Sequence, residues 1–175
     1  DERNRIPLAL RCVLVETADE LVLIETGLGN KENEKFRGIY GVDNDPPPGL
    51  PGADRLQAAI HALGYTPDDV TIVVDTHLHF DHAGGNTYAT AEGEVRLSFP
   101  RARYYVQRGE WEYAHHTNER TRASYLPHNY EPVAEAGRLV LLDGETTIVP
   151  GIEVILSPGH VPFHQSVLIR SAGAT

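Results

Sequence analysis

The run Thr76-His77-Leu78-His79-Phe80-Asp81-His82 places three imidazoles and one carboxylate within six consecutive positions. In extended backbone, side chains at i and i+2 leave from the same side, so His77 and His79 can share one cation. Asp81 and His82 fall where the chain is expected to turn into a helix. Adjacent residues diverge there, which frees this pair to serve a second ion close by. Such residues are poor choices for a core or a turn, and good ligands for zinc-like ions. Histidines do gather on surfaces by chance, and a tag remnant would look similar. This cluster instead follows an apolar run in mid-chain and contains an aspartate. Leu156-Ser157-Pro158-Gly159-His160 repeats the arrangement of an apolar run, a sharp turn and a histidine. Alone, His160 would read as a satisfied surface residue; beside the first cluster it is the natural third ligand for the ion of His77 and His79.

Such groups need rigid supports. Val70-Thr-Ile-Val-Val-Asp75 reads as a strand covered on both faces, ending where the histidines begin. Gly84 and Gly85 permit close backbone approach, which suits a crowded two-metal centre. Upstream, 8–16 and 21–26 form an expected β-hairpin around Thr17–Glu20, and a short polar helix is expected over 31–37. The stretch 43–52, with three consecutive prolines, is a surface loop. The spacing predicts a helix over 54–63, with Leu56, Ala59, Ile60 and Leu63 on one stripe and Gly64 as its stop. A strand at 102–106 and a helix at 109–116 come next, then short strands at 139–142, 146–149, 152–156 and 166–170. Two β-rich regions with helices between them fit a layered α/β sandwich better than a barrel.

Composition narrows the partners. At 175 residues the chain can bury one substantial core. A net charge of −10 repels phosphate backbones, so no nucleic-acid partner is expected. No apolar run approaches the roughly 20 residues of a membrane span, so no membrane partner is expected either. No signal segment follows Asp1–Arg5, which makes cytoplasmic the default location. Met is absent throughout, which points to a piece of a longer protein. The single Cys12 rules out an internal disulfide and reads as a small buried side chain.

Taken together, these residues resemble a known family. His-Leu-His-Phe-Asp-His-Ala-Gly-Gly, followed about eighty positions later by Ser-Pro-Gly-His, is similar to the metallo-β-lactamase-fold hydrolases. The stretches 77–86 and 158–166 resemble the branch containing acyl-homoserine lactone lactonases. The resemblance implies an αββα sandwich, incomplete at the C-terminus, forming a single domain over 1–175. It implies His77, His79 and His160 on a first metal and Asp81 and His82 on a second. Both would be divalent ions, Zn²⁺ foremost, with Mn, Fe or Co also compatible with these donors. Glu25-Thr26-Gly27 stands where the family commonly has aspartate-threonine-glycine, so Glu25 would support the site from behind with an altered reach. The family's metal-bridging aspartate and a last histidine would come later than this chain extends, since no aspartate follows Asp143. Truncation is the simplest account.

The implied reaction is attack of a metal-activated hydroxide on the carbonyl of a small ester or lactone, with Asp81 as ligand and proton carrier. His164 is read as supporting rather than ligating. His61, His115, His116 and His128 are left on surfaces or loops, although Trp111 and Tyr113 could line a pocket. Arg101, Arg103 and Arg108 are too scattered for an anion site. A mononuclear iron oxygenase of the same fold acting on sulfur substrates, and a non-catalytic metal-binding domain, are the competing readings. No oligomeric state is read from the sequence.

Overall fold

A computed structural model of the chain describes Glu2 and residues 4–171. Asp1 and Arg3, part of the stretch considered for a leader, lie outside the described residues, as do 172–175. The expected hairpin forms as β1 (Val13–Glu16) and β2 (Leu21–Ile24). Thr17 N–H closes its turn onto the Glu20 carbonyl at 2.9 Å. The hairpin is shorter than expected: residues 8–12 join no ladder, and Leu8 and Leu10 stay exposed.

Helix α1 spans Glu34–Tyr40, three residues later than expected at either end. Asn33 caps it by accepting from Phe36 N–H, and Gly41, left-handed at φ 68°, stops it. Helix α2 (Arg55–Ala62) starts where the Asp54 carboxylate accepts from Gln57 N–H at 2.9 Å. Of the expected stripe, Ile60 is buried and Leu56 packs on the same core, while Ala59 and Leu63 are exposed and Gln57 and Ala58 are buried instead. Leu63 has left the helix and is 65% exposed. Gln57 goes inside because its amide oxygen accepts from Ala53 N–H, a bond that no apolar side chain could make.

Strand β3 (Ile72–Val74) is followed by the hairpin β4 (Thr87–Ala89) and β5 (Val95–Leu97), which was not expected. Next come β6 (Arg103–Gln107), α3 (Arg108–His115) and a short α4 (Glu131–Glu135), also unexpected. The chain then runs through β7 (Leu139–Leu142), β8 (Thr146–Val149), β9 (Ile152–Leu156) and β10 (Gln165–Ile169). Five strands form one sheet in the order β1-β2-β3-β6-β7, and three form a second in the order β10-β9-β8.

Period-two burial explains the layers. Val22, Ile24, Ile72 and Val74 face the second sheet and meet Ile152 and Val154. Leu21, Leu23, Val73 and Tyr104 face the other way, onto Ile60 of α2 and Val133 of α4. Helix, sheet and sheet are therefore three layers of the expected αββα sandwich. Ile72, Val73 and Val74 are all 0% exposed. At roughly 1.5–3 kcal/mol per buried aliphatic side chain, β3 alone contributes about 5–9 kcal/mol and anchors the histidine-bearing turn at its end. Because β2, β3 and β6 are parallel, their carboxyl ends share one edge of the sheet. No helix among the described residues is long and apolar enough to cross a membrane.

Candidate metal centre

The chain leaves β3 at that edge and folds into a tight turn, with His82 N–H and Ala83 N–H donating to the His79 carbonyl at 3.0 and 2.9 Å. A 3₁₀ turn at Gly84–Asn86 comes next, where a helix start was expected. The glycines explain the difference. A Cβ on Gly85 would collide with the Thr26 carbonyl oxygen, and one on Gly84 would lie 2.8 Å from the Gly27 oxygen. The turn is pressed against the Glu25–Leu28 loop after β2, as close approach of these glycines requires.

Three of the five residues expected to ligate converge tightly. The His77 and His79 ring centroids are 4.6 Å apart, and His160 stands 5.0 and 4.9 Å from them. One nitrogen from each of the three lies within 4.8 Å of the others. His160 arrives on the turn between β9 and β10, closed by Ser157 N–H to the His164 carbonyl at 2.9 Å and anchored by buried Val161. Asp81 and His82 stand alongside: the His82 ring is 4.1 Å from that of His77, and its Nε2 is 3.6 Å from Asp81 Oδ2.

The donor set suits a cation. His77 Nε2 and His79 Nε2 are buried with no hydrogen-bond partner, a costly state that a bound cation would relieve at the nitrogen it takes. His77 Nδ1 lies 2.9 Å from Thr76 Oγ1; an Nδ1–H donated there leaves Nε2 as a lone pair facing its neighbours. His160 Nε2 and His79 Nδ1 face each other at 3.2 Å. Glu25 does the equivalent work for His82. One carboxylate oxygen takes His82 Nδ1 and the other accepts from Thr76 N–H at 2.7 Å. The longer side chain therefore does reach the site, from a backbone held in the left-handed region at φ 65°.

Protonation follows the surroundings. Burial, then the neighbouring imidazoles, pushes His77 down to about 2. Burial and His160 lower His79 to about 4, against the pull of Asp81. Both are neutral and ready to ligate near pH 7. Burial would lower His82 too, but the Glu25 hydrogen bond and charge outweigh it and raise its pKa.

His164 sits behind the cluster, its ring 5.2 Å from that of His77 and its Nδ1 2.8 Å from Ser157 Oγ. It lines a cavity of about 420 Å³ with Glu25, Thr76, Asp81, His82 and Cys12, walled by the extended segment from Leu8. Cys12 is half-buried, and burial pushes its thiol up to about 12, in keeping with a packing role. The other histidines stay away. His115 pairs with Glu131 at 2.5 Å and His128 with Glu32 at 2.9 Å. Trp111 and Tyr113 pack on the cluster around Leu78 and Tyr130.

Sequence reasoning missed the polar frame beneath the turn. Buried Asn86 donates to Asp75 Oδ2 at 2.8 Å, and its Oδ1 lies 3.0 Å from Thr26 Oγ1. Buried Gln165 donates to the Asp75 carbonyl at 2.8 Å and accepts from Gln107 Nε2 at 2.7 Å, joining the two sheets below the histidines.

Two stacked sheets with an imidazole cluster at the carboxyl ends of parallel strands define a metal-site α/β sandwich. The chain belongs to the metallo-beta-lactamase superfamily, whose family model matches residues 6–175. It is 34% identical over 168 residues to the N-acyl homoserine lactonase AiiA of Bacillus thuringiensis subsp. kurstaki. That match covers 94% of this chain and 59% of the relative's length. A probable metal-dependent hydrolase from Staphylococcus aureus superposes with a TM-score of 0.78 at 30% identity, covering 91% of this chain and 53% of that one. An N-acyl homoserine lactone hydrolase, solved with N-hexanoyl-L-homoserine at its catalytic metal centre, superposes at 0.65 with 28% identity, covering 92% and 58%.

Proposed function

We propose that the protein hydrolyses small lactones of the N-acyl homoserine lactone type at a dinuclear, zinc-type centre, with residues 1–175 forming one incomplete domain of it. The observation that carries this reading is the convergence of one nitrogen each from His77, His79 and His160 to within 4.8 Å of one another, with His77 Nε2 buried and unpartnered. These three would hold one divalent ion, and Asp81 with His82 a second. Bound there, such ions supply Lewis acidity and bring the pKa of a water from about 16 toward about 7.

The chain's own residues do the rest. The half-exposed Asp81 carboxylate takes a proton from the attacking water as its oxygen bonds to the lactone carbonyl carbon. When the ring C–O bond breaks, Asp81 returns that proton to the departing oxygen. Glu25 holds His82 in orientation throughout. Phe80, between His79 and Asp81, joins Phe36 and Tyr40 of α1 with ring centroids 4.6–5.1 Å apart. This partly exposed aromatic surface offers an apolar resting place for an acyl chain.

The test is metal analysis of the complete gene product, joined to assays on lactone, thioester and β-lactam panels. We expect about two divalent ions, zinc among them, and preferential lactone turnover. Asp81→Ala should lower turnover by roughly 10²–10⁴-fold, the range for a positioned acid–base group. Iron-dependent oxygen consumption, or unchanged turnover in the Asp81 variant, would overturn the proposal.

A further inference from the structure

Glu110 is 0% exposed, an unusual place for a carboxyl on the helix α3. Burying such a group is costly, and its Oε2 has no hydrogen-bond partner among the described residues, so an apolar residue would serve packing alone better. Its compensation points at the metal segment. Oε1 accepts from Leu78 N–H at 3.0 Å, the peptide nitrogen between His77 and His79. The same oxygen accepts from the Tyr125 hydroxyl at 2.9 Å. Tyr125 in turn pairs with His79 as an isolated antiparallel bridge and sets its ring edge-on to the imidazole, centroids 4.7 Å apart at 77°. One residue beyond His79, Phe80 N–H donates to the Ser124 carbonyl at 2.9 Å.

The segment carrying the two histidines thus lacks a full strand partner on this side. Its alternate N–H groups are held instead by one buried carboxylate and by the 124–125 backbone. We infer that Glu110 is a positioning residue: through Leu78 N–H and Tyr125 it fixes the spacing and ring orientation of His77 and His79 for cation binding. A buried acceptor at this point removes the backbone rotation that would let the two imidazoles part. The inference rests on the reading of His77 and His79 as ligands.

The test uses the complete gene product loaded with Co²⁺, whose visible absorption reports ligand geometry, with chelator competition giving metal affinity. Glu110→Gln retains an oxygen for both donors and should keep wild-type affinity and spectrum. Glu110→Leu should lower affinity by about 10- to 100-fold, as loss of a group that orients metal ligands does, and should shift the cobalt bands. If the leucine variant fails to fold, Glu110→Asp, with its acceptor withdrawn by one methylene, should show the same loss in milder form. A folded leucine or aspartate variant with wild-type affinity and spectrum overturns the inference, even if its thermal stability falls. A wild-type protein that binds no cation overturns both this inference and the proposed function.

Discussion

Replacing Glu25 with glycine sets two effects of known sign against each other. The backbone at Glu25 has φ 65°, a conformation that costs an L-residue roughly 1–2 kcal/mol and glycine almost nothing. Relief of that strain favours the variant. Against it stand two hydrogen bonds to an ionised, largely buried carboxylate, one from Thr76 N–H and one from His82 Nδ1. Bonds to charged groups contribute about 1.5–3 kcal/mol each, so roughly 3–6 kcal/mol is lost. The net expectation is a destabilisation of about 3 kcal/mol, read in urea as a lower midpoint at unchanged slope. Glu25→Gln separates stability from the site. Its amide oxygen can still satisfy Thr76, but its NH₂ meets His82 Nδ1 as a donor. His82 must then accept at Nδ1 and carry its proton at Nε2, the nitrogen that faces Asp81. That variant should lose less stability than the glycine one and hold the proposed second ion poorly. A glycine variant as stable as wild type, or a glutamine variant with full metal content, would refute the reasoning.

The same geometry sets three further outcomes. In the metal-free protein His77 is held near 2, chiefly by burial, while the unfolded chain titrates near 6.5. Its folded pKa is depressed, so the unfolded state binds the extra proton, and stability falls as pH drops below 6.5. Compared with His77→Gln, wild type should lose more stability as pH falls below 6.5, the difference approaching about 1.4 kcal/mol per pH unit below about pH 5.5 in urea titrations; parallel curves would contradict this. Gly85→Ala drives a Cβ into the Thr26 carbonyl and should cost about 1–3 kcal/mol, visible as a lowered Tm; an unchanged Tm would show that the turn can yield. His160→Ala removes an exposed ring, so metal-free stability should stay within about 0.5 kcal/mol while metal affinity drops more than about 10-fold. Equal affinity in chelator competition would remove His160 from the ligand set.

Much of the framework was legible because it rests on local physics. The largely apolar, β-branched run at 70–75 reads as a strand covered on both faces, and its Ile72–Val74 forms the central β3. Asp54 and Gly64 bracket α2 at nearly the expected bounds, because capping needs only nearby atoms. The histidine-rich turn was recognisable from residue type and i, i+2 spacing. Other features depended on partners remote in the chain. Only half of the stripe expected for α2, Leu56 and Ile60, faces the core, and Gln57 goes inside with its amide oxygen on Ala53 N–H. The hairpin β4–β5 escaped because each strand is only three residues long, too short for a period-two pattern to register. Glu110 looked like an ordinary helical carboxylate until Leu78 and Tyr125 met it.

Local order in the sequence determined which side chains could ligate and which strand would carry them, since spacing and burial period act over a few residues. Only the packing of two sheets decided that His160, 81 residues from His79, would arrive beside it. The parallel pairing of β2 with β3 decided that Glu25, in the left-handed region just past β2, would reach His82 beyond the end of β3. The first meeting depends on the stacking of β3 against β9 and β10 and the second on strand pairing within one sheet, and no single segment encodes either.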